Sequence, residues 1–364
     1  MLESNDVIRI LGKGITAQAI KEKYPNALMY DDSNKDEYDT NSSVLTVVSP
    51  GIPPSNYLVK NTKNLISDYD LFLESEDTPF NIWISGTNGK TTTTQMCQHL
   101  LKQYNSEYGG NIGTPLANLN QDSKIWILES SSFTLHYTNK VNPNLYILLP
   151  ISEDHISWHG SFDEYKKSKL KPLDNMSDSE VAIIPEEFKD YETRAKKITY
   201  TSSDDLCKIF DIDKNKIKFK EPFLLDAILA LATSVILFDE IKYELINSFV
   251  IDEHKVEEFY DSMNRLWVND TKATNVDATI CALESFKEKK IYLILGGDDK
   301  GANLIPLFDN MKHHCLELFS IGSNRNRLLE LAKSYNLKNN SCQNLEDAVR
   351  KISILHDVNT LAML

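Results

Sequence analysis

Apolar residues along this chain fall in short continuous runs, not in the alternating pattern of a half-exposed strand. Runs at 7–11, 44–48, 81–85, 124–129, 145–149, 181–184, 266–269, 291–295, 316–320 and 360–364 predict strands. Continuous runs suit strands covered on both faces, as in parallel sheets flanked by helices. The segments between them have helical spacing, so the order is strand, helix, strand, which predicts an α/β fold. The most apolar stretch, 224–238, is interrupted by Asp226 and contains Thr233 and Ser234. It is shorter than the ~20 residues that a membrane-spanning helix needs. Two polar breaks, 75–79 ending in Pro79 and 251–254, divide the pattern into three expected domains: 1–78, 79–252 and 253–364. The final run reads as a buried strand ending at Leu364. Ligands of open α/β sheets bind just beyond such strand ends. The third domain is therefore expected to be incomplete, lacking a loop and a last helix.

Composition narrows the function. The chain has 364 residues, with 39 Lys and Arg against 53 Asp and Glu, a formal net charge of −14. That balance argues against binding the nucleic-acid backbone. It leaves open a phosphorylated small molecule, which needs only local N–H groups and one or two cations. Cys97, Cys207, Cys281, Cys315 and Cys342 are far apart and form no metal-type pair. They suit free thiols in a reducing compartment. The N-terminus has neither a basic region nor a cleavage site of a secretory signal, so the cytoplasm is expected.

The strongest chemical signal is a strand running into Gly86-Thr87-Asn88-Gly89-Lys90-Thr91-Thr92 and then a helical stretch. Glycines let backbone N–H groups converge on phosphate oxygens, the lysine neutralises their charge, and the hydroxyl can bind Mg²⁺. The strict phosphate-loop pattern wants Gly where Ser85 stands, so the match is G-x-x-G-K-T. Glu129, at a strand end before Ser130-Ser131-Ser132-Phe133, is placed to hold Mg²⁺. Glu153-Asp154-His155 is a further ionisable cluster at a strand end. Tyr165–Lys171 reads as a solvated basic helix face. The first domain opens with a strand and Gly12-Lys13-Gly14-Ile15-Thr16-Ala17; Asp31 and Asp32 follow at the spacing of a ribose-binding acid. A nicotinamide-dependent oxidoreductase could use that turn, but would leave Gly86–Thr92 unexplained. Ser49-Pro50-Gly51-Ile52 forms a second turn on the same edge. In the third domain, 269–275 and 295–301 each put lysine and carboxylates in a loop at a strand end.

Taken in order, Gly86–Thr92, Gly110-Asn111-Ile112-Gly113, Glu129–Phe133, Glu153–His155 and Asn269-Asp270-Thr271-Lys272-Ala273-Thr274-Asn275 resemble the motifs of the Mur ligases over essentially the whole chain. Ser49–Ile52, Ser67-Asp68-Tyr69-Asp70-Leu71-Phe72 and Leu295-Gly296-Gly297-Asp298-Asp299-Lys300-Gly301 look most like the member that adds D-glutamate to UDP-N-acetylmuramoyl-L-alanine. The resemblance implies Rossmann-like first and third domains around a central ATPase-like domain with a mostly parallel sheet. It implies ATP and Mg²⁺ as cofactors, the UDP sugar and D-glutamate as partners, and a monomer. Carried over by motif, Gly86, Thr87, Asn88, Gly89, Lys90, Thr91 and Thr92 would hold the ATP phosphates, and Asp270 the ribose. Thr91, Glu129, His155 and Lys169 would serve the metal, Lys169 as a carbamate. Gly14, Ile15, Thr16, Ser49, Gly51, Asn111 and His155 would face the UDP sugar. Lys272, Thr274 and Lys300 would face D-glutamate and the acyl phosphate. Lys90, Glu129, His155, Lys169 and Lys272 would carry catalysis. Three departures stand out. Pro222-Phe223 replaces the usual His-Asn, with Asp226 at a common Asn position. Lys255 replaces an arginine, exchanging a fork for a point charge. A Ser-Pro-Ala-rich segment would begin only after Leu364.

Overall fold

A computed structural model describes residues 6–75, 77–299 and 301–364. The chain divides into two compact units, Met1–Phe249 and Val250–Leu364.

The first unit contains two sheets. Strands β1 (Arg9–Leu11), β2 (Leu28–Tyr30), β3 (Thr46–Val48) and β4 (Leu65–Ile66) form a parallel sheet in the order β2-β1-β3-β4. Its core is built from Ile8, Ile10, Ala17, Ile20 and Val47. Strands β5 (Phe80–Ser85), β6 (Ser106–Gly110), β7 (Ile125–Glu129), β8 (Leu145–Leu148), β9 (Val181–Pro185) and β10 (Lys196–Tyr200) form a second parallel sheet in the order β10-β9-β8-β5-β7-β6. Trp83, Trp126, Leu128, Tyr146 and Leu148 pack one of its faces. The apolar stretch expected at 224–238 is the helix Phe223–Phe238, buried against the helix Lys90–Leu101. Its interrupting Asp226 is explained there: Oδ1 accepts a hydrogen bond from Thr93 Oγ1 at 2.8 Å.

The second unit has one sheet, ordered β11-β12-β16-β13-β14-β15. The strands are β11 (Glu257–Tyr260), β12 (Leu266–Asn269), β13 (Lys290–Gly296), β14 (Leu316–Ile321), β15 (Lys338–Ser341) and β16 (Thr360–Met363). All its pairings are parallel except β11 with β12. Leu266, Leu293, Phe308, Leu318 and Leu361 fill one face, and Trp267, Tyr292, Phe319 and Ile352 the other. Among the described residues no helix is long and apolar enough to cross a membrane, and all five cysteines are free.

In the second sheet the chain leaves β5 toward β6 and β7 on one side, then continues with β8 on the other. Such a reversal opens a crevice at the carboxyl ends of the strands, where open α/β sheets bind ligands. The loop Gly86–Gly89 leaves β5 at that point.

Candidate active site

The loop after β5 is shaped by its glycines. Gly86 and Gly89 have φ of +142° and +83°; a Cβ on either would lie 2.5 Å from Leu149 Cβ or Asp226 Oδ1 respectively. The loop feeds the twelve-residue helix Lys90–Leu101, whose first N–H groups have no side-chain cap. Those N–H groups and the positive end of the helix dipole make an anion cradle.

Around this cradle the fold assembles a charged and polar cluster. Lys90 Nζ donates to Thr87 O at 2.7 Å. Burial lowers its pKa, opposed by Glu129 and Asp154. Glu129, at the end of β7 and only 2% exposed, accepts from Thr91 Oγ1 at one carboxylate oxygen and from Asn111 Nδ2 at the other, each at 2.7 Å. The Asn111 N–H also donates to the Glu129 carbonyl at 2.9 Å. Three motifs far apart in sequence thus meet on one carboxylate.

Lys169 is the least expected member. Tyr165–Lys171 is not simply a solvated basic face. Tyr165, Ser168, Lys169 and Leu170 are buried, while the Lys167 side chain is 75% exposed. Lys169 Nζ donates to Gly86 O at 2.7 Å and Ser85 Oγ at 3.3 Å, and lies 4.8 Å from the centre of the Tyr165 ring. Burial drives its pKa well below the lysine range; nearby Lys90 adds to the fall, while Asp154 and Glu129 oppose it. Tyr165, which no motif singled out, also bonds Thr87 Oγ1 at 3.0 Å, and Thr87 Oγ1 donates to Ser152 O at 3.0 Å. The i, i+4 spacing of Tyr165 and Lys169 was the available signal. Ser85, where the strict pattern wants Gly, carries a hydroxyl that donates to Ser130 O at 2.8 Å.

His155 is a left-handed residue, φ +54°, that starts the helix Ile156–His159. Its Nε2 lies 3.6 Å from Asp154 Oδ2 and its ring 4.7 Å from that of Phe133. Thr92 is buried in the first turn of the helix Lys90–Leu101, after Asn88 and Gly89 in the loop.

The first sheet carries the expected UDP-sugar residues. Gly14 precedes the helix Ile15–Lys23, and Ile15 is 79% exposed. Thr16 follows in the first turn. Ser49 N–H donates to Leu11 O at 2.8 Å, while its hydroxyl is buried without a partner among the described residues. Gly51 and Ile52 carbonyls accept from Trp158 Nε1 at 3.4 Å and Tyr137 OH at 2.7 Å. Asp31, one of the two candidate ribose acids, is held by Lys13 Nζ at 2.9 Å and by Ser33. These bonds, Ser33's first, lower its carboxyl to about 2.

The remaining candidates lie in the second unit. Asp270 Oδ1 accepts from Val256 N at 3.0 Å, and burial raises its carboxyl to about 6. Lys272 and Thr274 are exposed, with Lys272 N donating to His254 O at 3.1 Å. Lys300 lies outside the described residues.

No group of three or more His, Cys, Asp or Glu that could hold a metal occurs among the described residues. Mg²⁺ binds through one or two carboxylates and keeps waters and substrate phosphates as its other ligands. The buried Glu129 carboxylate beside the Thr91 hydroxyl is such a hard-oxygen pair.

Comparison with known proteins agrees with this arrangement. Residues 84–223 match the Mur ligase middle domain. A UDP-N-acetylmuramoylalanine–D-glutamate ligase of Campylobacter jejuni is 50% identical over 375 residues, covering 98% of this chain and 93% of that protein. The Helicobacter pylori protein of the same name is 41% identical over 393 residues, with the same coverage. A crystal structure of a MurF ligase from Thermotoga maritima in complex with ADP shares the fold, with a TM-score of 0.61 at 13% identity, covering 99% of this chain and 90% of that one. With its phosphate loop, its buried strand-end carboxylate and relatives this similar along almost their whole length, the chain belongs to the Mur ligase family of ATP-dependent ligases.

Proposed function

We propose that this chain joins the amine of D-glutamate to the carboxylate of UDP-N-acetylmuramoyl-L-alanine, using ATP and Mg²⁺, as a monomer in the cytoplasm. Its domains would be 1–78 for the UDP sugar, 79–252 for ATP and 253–364 for the amino acid. The observation that carries the reading is the convergence of Thr91, Asn111 and Glu129 beside the phosphate loop.

A carboxylate resists attack by an amine because its charge repels nucleophiles. Transfer of the ATP γ-phosphoryl group to a carboxylate oxygen forms a P–O bond and releases ADP. The amine then forms the C–N bond, inorganic phosphate leaves, and a proton is lost from nitrogen. Loop N–H groups and Lys90 hold the phosphates through this sequence. Thr91, Glu129, His155 and Lys169 would hold Mg²⁺, which supplies charge neutralisation on the phosphate oxygens. Asn111 both orients Glu129 and faces the sugar substrate, together with the 14–16 and 49–51 turns. Asp270 holds the ribose; Lys272, Thr274 and Lys300 face the amino acid and the developing negative charge.

Lys169 serves as a carbamate. Burial lowers its pKa and so favours the neutral, nucleophilic amine; neutral Nζ forms an N–C bond to CO₂ and releases one proton, leaving an anionic oxygen ligand.

The test is ADP release by the purified chain with ATP, Mg²⁺ and the UDP sugar. Release should require D-glutamate, should not occur with L-glutamate, and should vanish in Lys90→Ala. ADP release indifferent to D-glutamate would refute the reading.

A further inference from the structure

The segment Ser67–Phe72 was singled out by resemblance, yet the proposed chemistry gives it no task. It forms the five-residue helix Asp68–Phe72, closed by a capping box in which Ser67 and Asp70 bond each other's backbone N–H. Its residues belong to the segment between the two sheets of the first unit, but their polar groups point to the 129–140 stretch. At one end, Tyr69 OH lies 3.3 Å from the Glu129 carbonyl and 3.1 Å from Ser130 Oγ. At the other, the Asp70 carboxylate accepts from Asn139 N, at 3.1 Å to each oxygen, and from Lys140 N at 2.8 Å. Thr138 Oγ1 adds a bond to Ser67 Oγ at 2.9 Å.

Ser67, Tyr69, Asp70, Ser130 and Thr138 are buried, while Asn139 and Lys140 are exposed. Tyr69 is 1% exposed and Asp70 0%. The Tyr69 ring packs edge-on against Trp83, with centroids 4.8 Å apart. Burial raises the phenol pKa, so the hydroxyl stays protonated and remains a donor. The approach needs a residue without a side chain opposite: a Cβ on Gly110, φ +90°, would lie 2.9 Å from Tyr69 OH and 2.7 Å from Glu129 O. Glu129 O also receives the Asn111 N–H. The backbone of Glu129 is thus held by Tyr69 and Asn111 while its carboxylate is held by Thr91 and Asn111.

We infer that Tyr69 is a positioning residue: its hydroxyl, anchored by the Ser67–Asp70 clamp on residues 138–140, fixes the end of β7 so that the Glu129 carboxylate is aimed at the metal side of the phosphate loop. The inference rests on the reading of Glu129 as a metal-holding carboxylate. A preorganised ligand needs neighbours that lock it. Here the lock comes from the segment that follows the first sheet, tying the sugar-side part of the unit to the nucleotide site.

The test is calorimetric titration of ADP into the full chain with and without Mg²⁺, comparing wild type with Tyr69→Phe. Phenylalanine keeps the ring against Trp83 and removes only the hydroxyl. The factor by which Mg²⁺ tightens ADP should fall about threefold to tenfold, the scale of one lost hydrogen bond. Affinity without Mg²⁺ should not change, and the melting midpoint should fall by no more than about 6 °C. An unchanged Mg²⁺ factor, or an equal loss without Mg²⁺, overturns the inference. If Tyr69→Phe does not fold, Asp70→Asn weakens the clamp on Asn139 and Lys140 that anchors the hydroxyl and is read the same way. Glu129→Gln is titrated alongside. If it also leaves the Mg²⁺ factor intact, the metal role of Glu129 falls and the inference with it. If Glu129→Gln lowers the factor and Tyr69→Phe does not, the positioning role alone falls.

Discussion

Lys169 shows how far a single residue's meaning depends on its surroundings. It stands in Tyr165-Lys166-Lys167-Ser168-Lys169-Leu170-Lys171, where nothing local separates it from its neighbours; resemblance alone singled it out. In the fold it is 1% exposed and donates to the phosphate-loop carbonyl of Gly86, while the Lys167 side chain remains 75% exposed. Burying an ammonium without a carboxylate in contact is costly, and the group answers by losing its proton more readily. A neutral amine is the form that reacts with CO₂. Lys169→Ala is therefore expected to lose most ADP-forming activity, and a short-chain carboxylic acid added to the assay should restore part of it. The check is the rate of D-glutamate-dependent ADP release with and without the added acid; failure of every small carboxylate to rescue would count against the carbamate role.

At the scale of elements, the ten predicted strands all form, and the six unpredicted ones share one property. They are β2, β4, β6, β10, β11 and β15, the two edges of each of the three sheets. Central parallel strands are covered on both faces and read as continuous apolar runs. Edge strands have a partner on one side only and tolerate polar side chains: β15 is Lys-Asn-Asn-Ser and β11 is Glu-Glu-Phe-Tyr. The short helix Asp68–Phe72 was equally illegible, since three of its five residues are buried although two of those are aspartates. Asp68 makes it pH-sensitive. Burial, aided by the charge of Asp70, raises its carboxyl to about 7, against hydrogen bonds from the backbone. A folded pKa above the unfolded one means that the folded state binds the proton more tightly. The stabilisation is full below about pH 4 and is lost as pH rises through about 7, at about 1.4 kcal/mol per unit of difference. Asp68→Asn cannot titrate, so the fall in melting temperature between pH 5 and pH 8 should be smaller in this variant than in the wild type. Equal pH slopes for the two proteins would remove Asp68 from the account.

For the whole molecule, the division into Met1–Phe249 and Val250–Leu364 has a practical consequence. Each unit has its own apolar cores. At the join, Val250 is 80% exposed, and Asp252, Glu253 and His254 are exposed as well. Exposed, sparsely packed chain is where proteases cut first. Brief digestion with a glutamate-specific protease should nick at Glu253 before any site inside a strand, giving two fragments whose masses identify the cut. First cleavage outside the exposed 250–254 segment would contradict the division.

The sequence by itself determined the interior strands, the phosphate loop and the family, because each is written in contiguous residues: an apolar run, a glycine-lysine turn, a motif in order. Only the tertiary structure decided which charges would be buried and what they would meet. Glu129, Thr91 and Asn111 converge through strand pairing across 38 positions, and Tyr69 reaches Glu129 across 60. Local pattern cannot encode such meetings. They follow from the order of the strands in the sheet and from the cost of leaving a buried polar group without a partner.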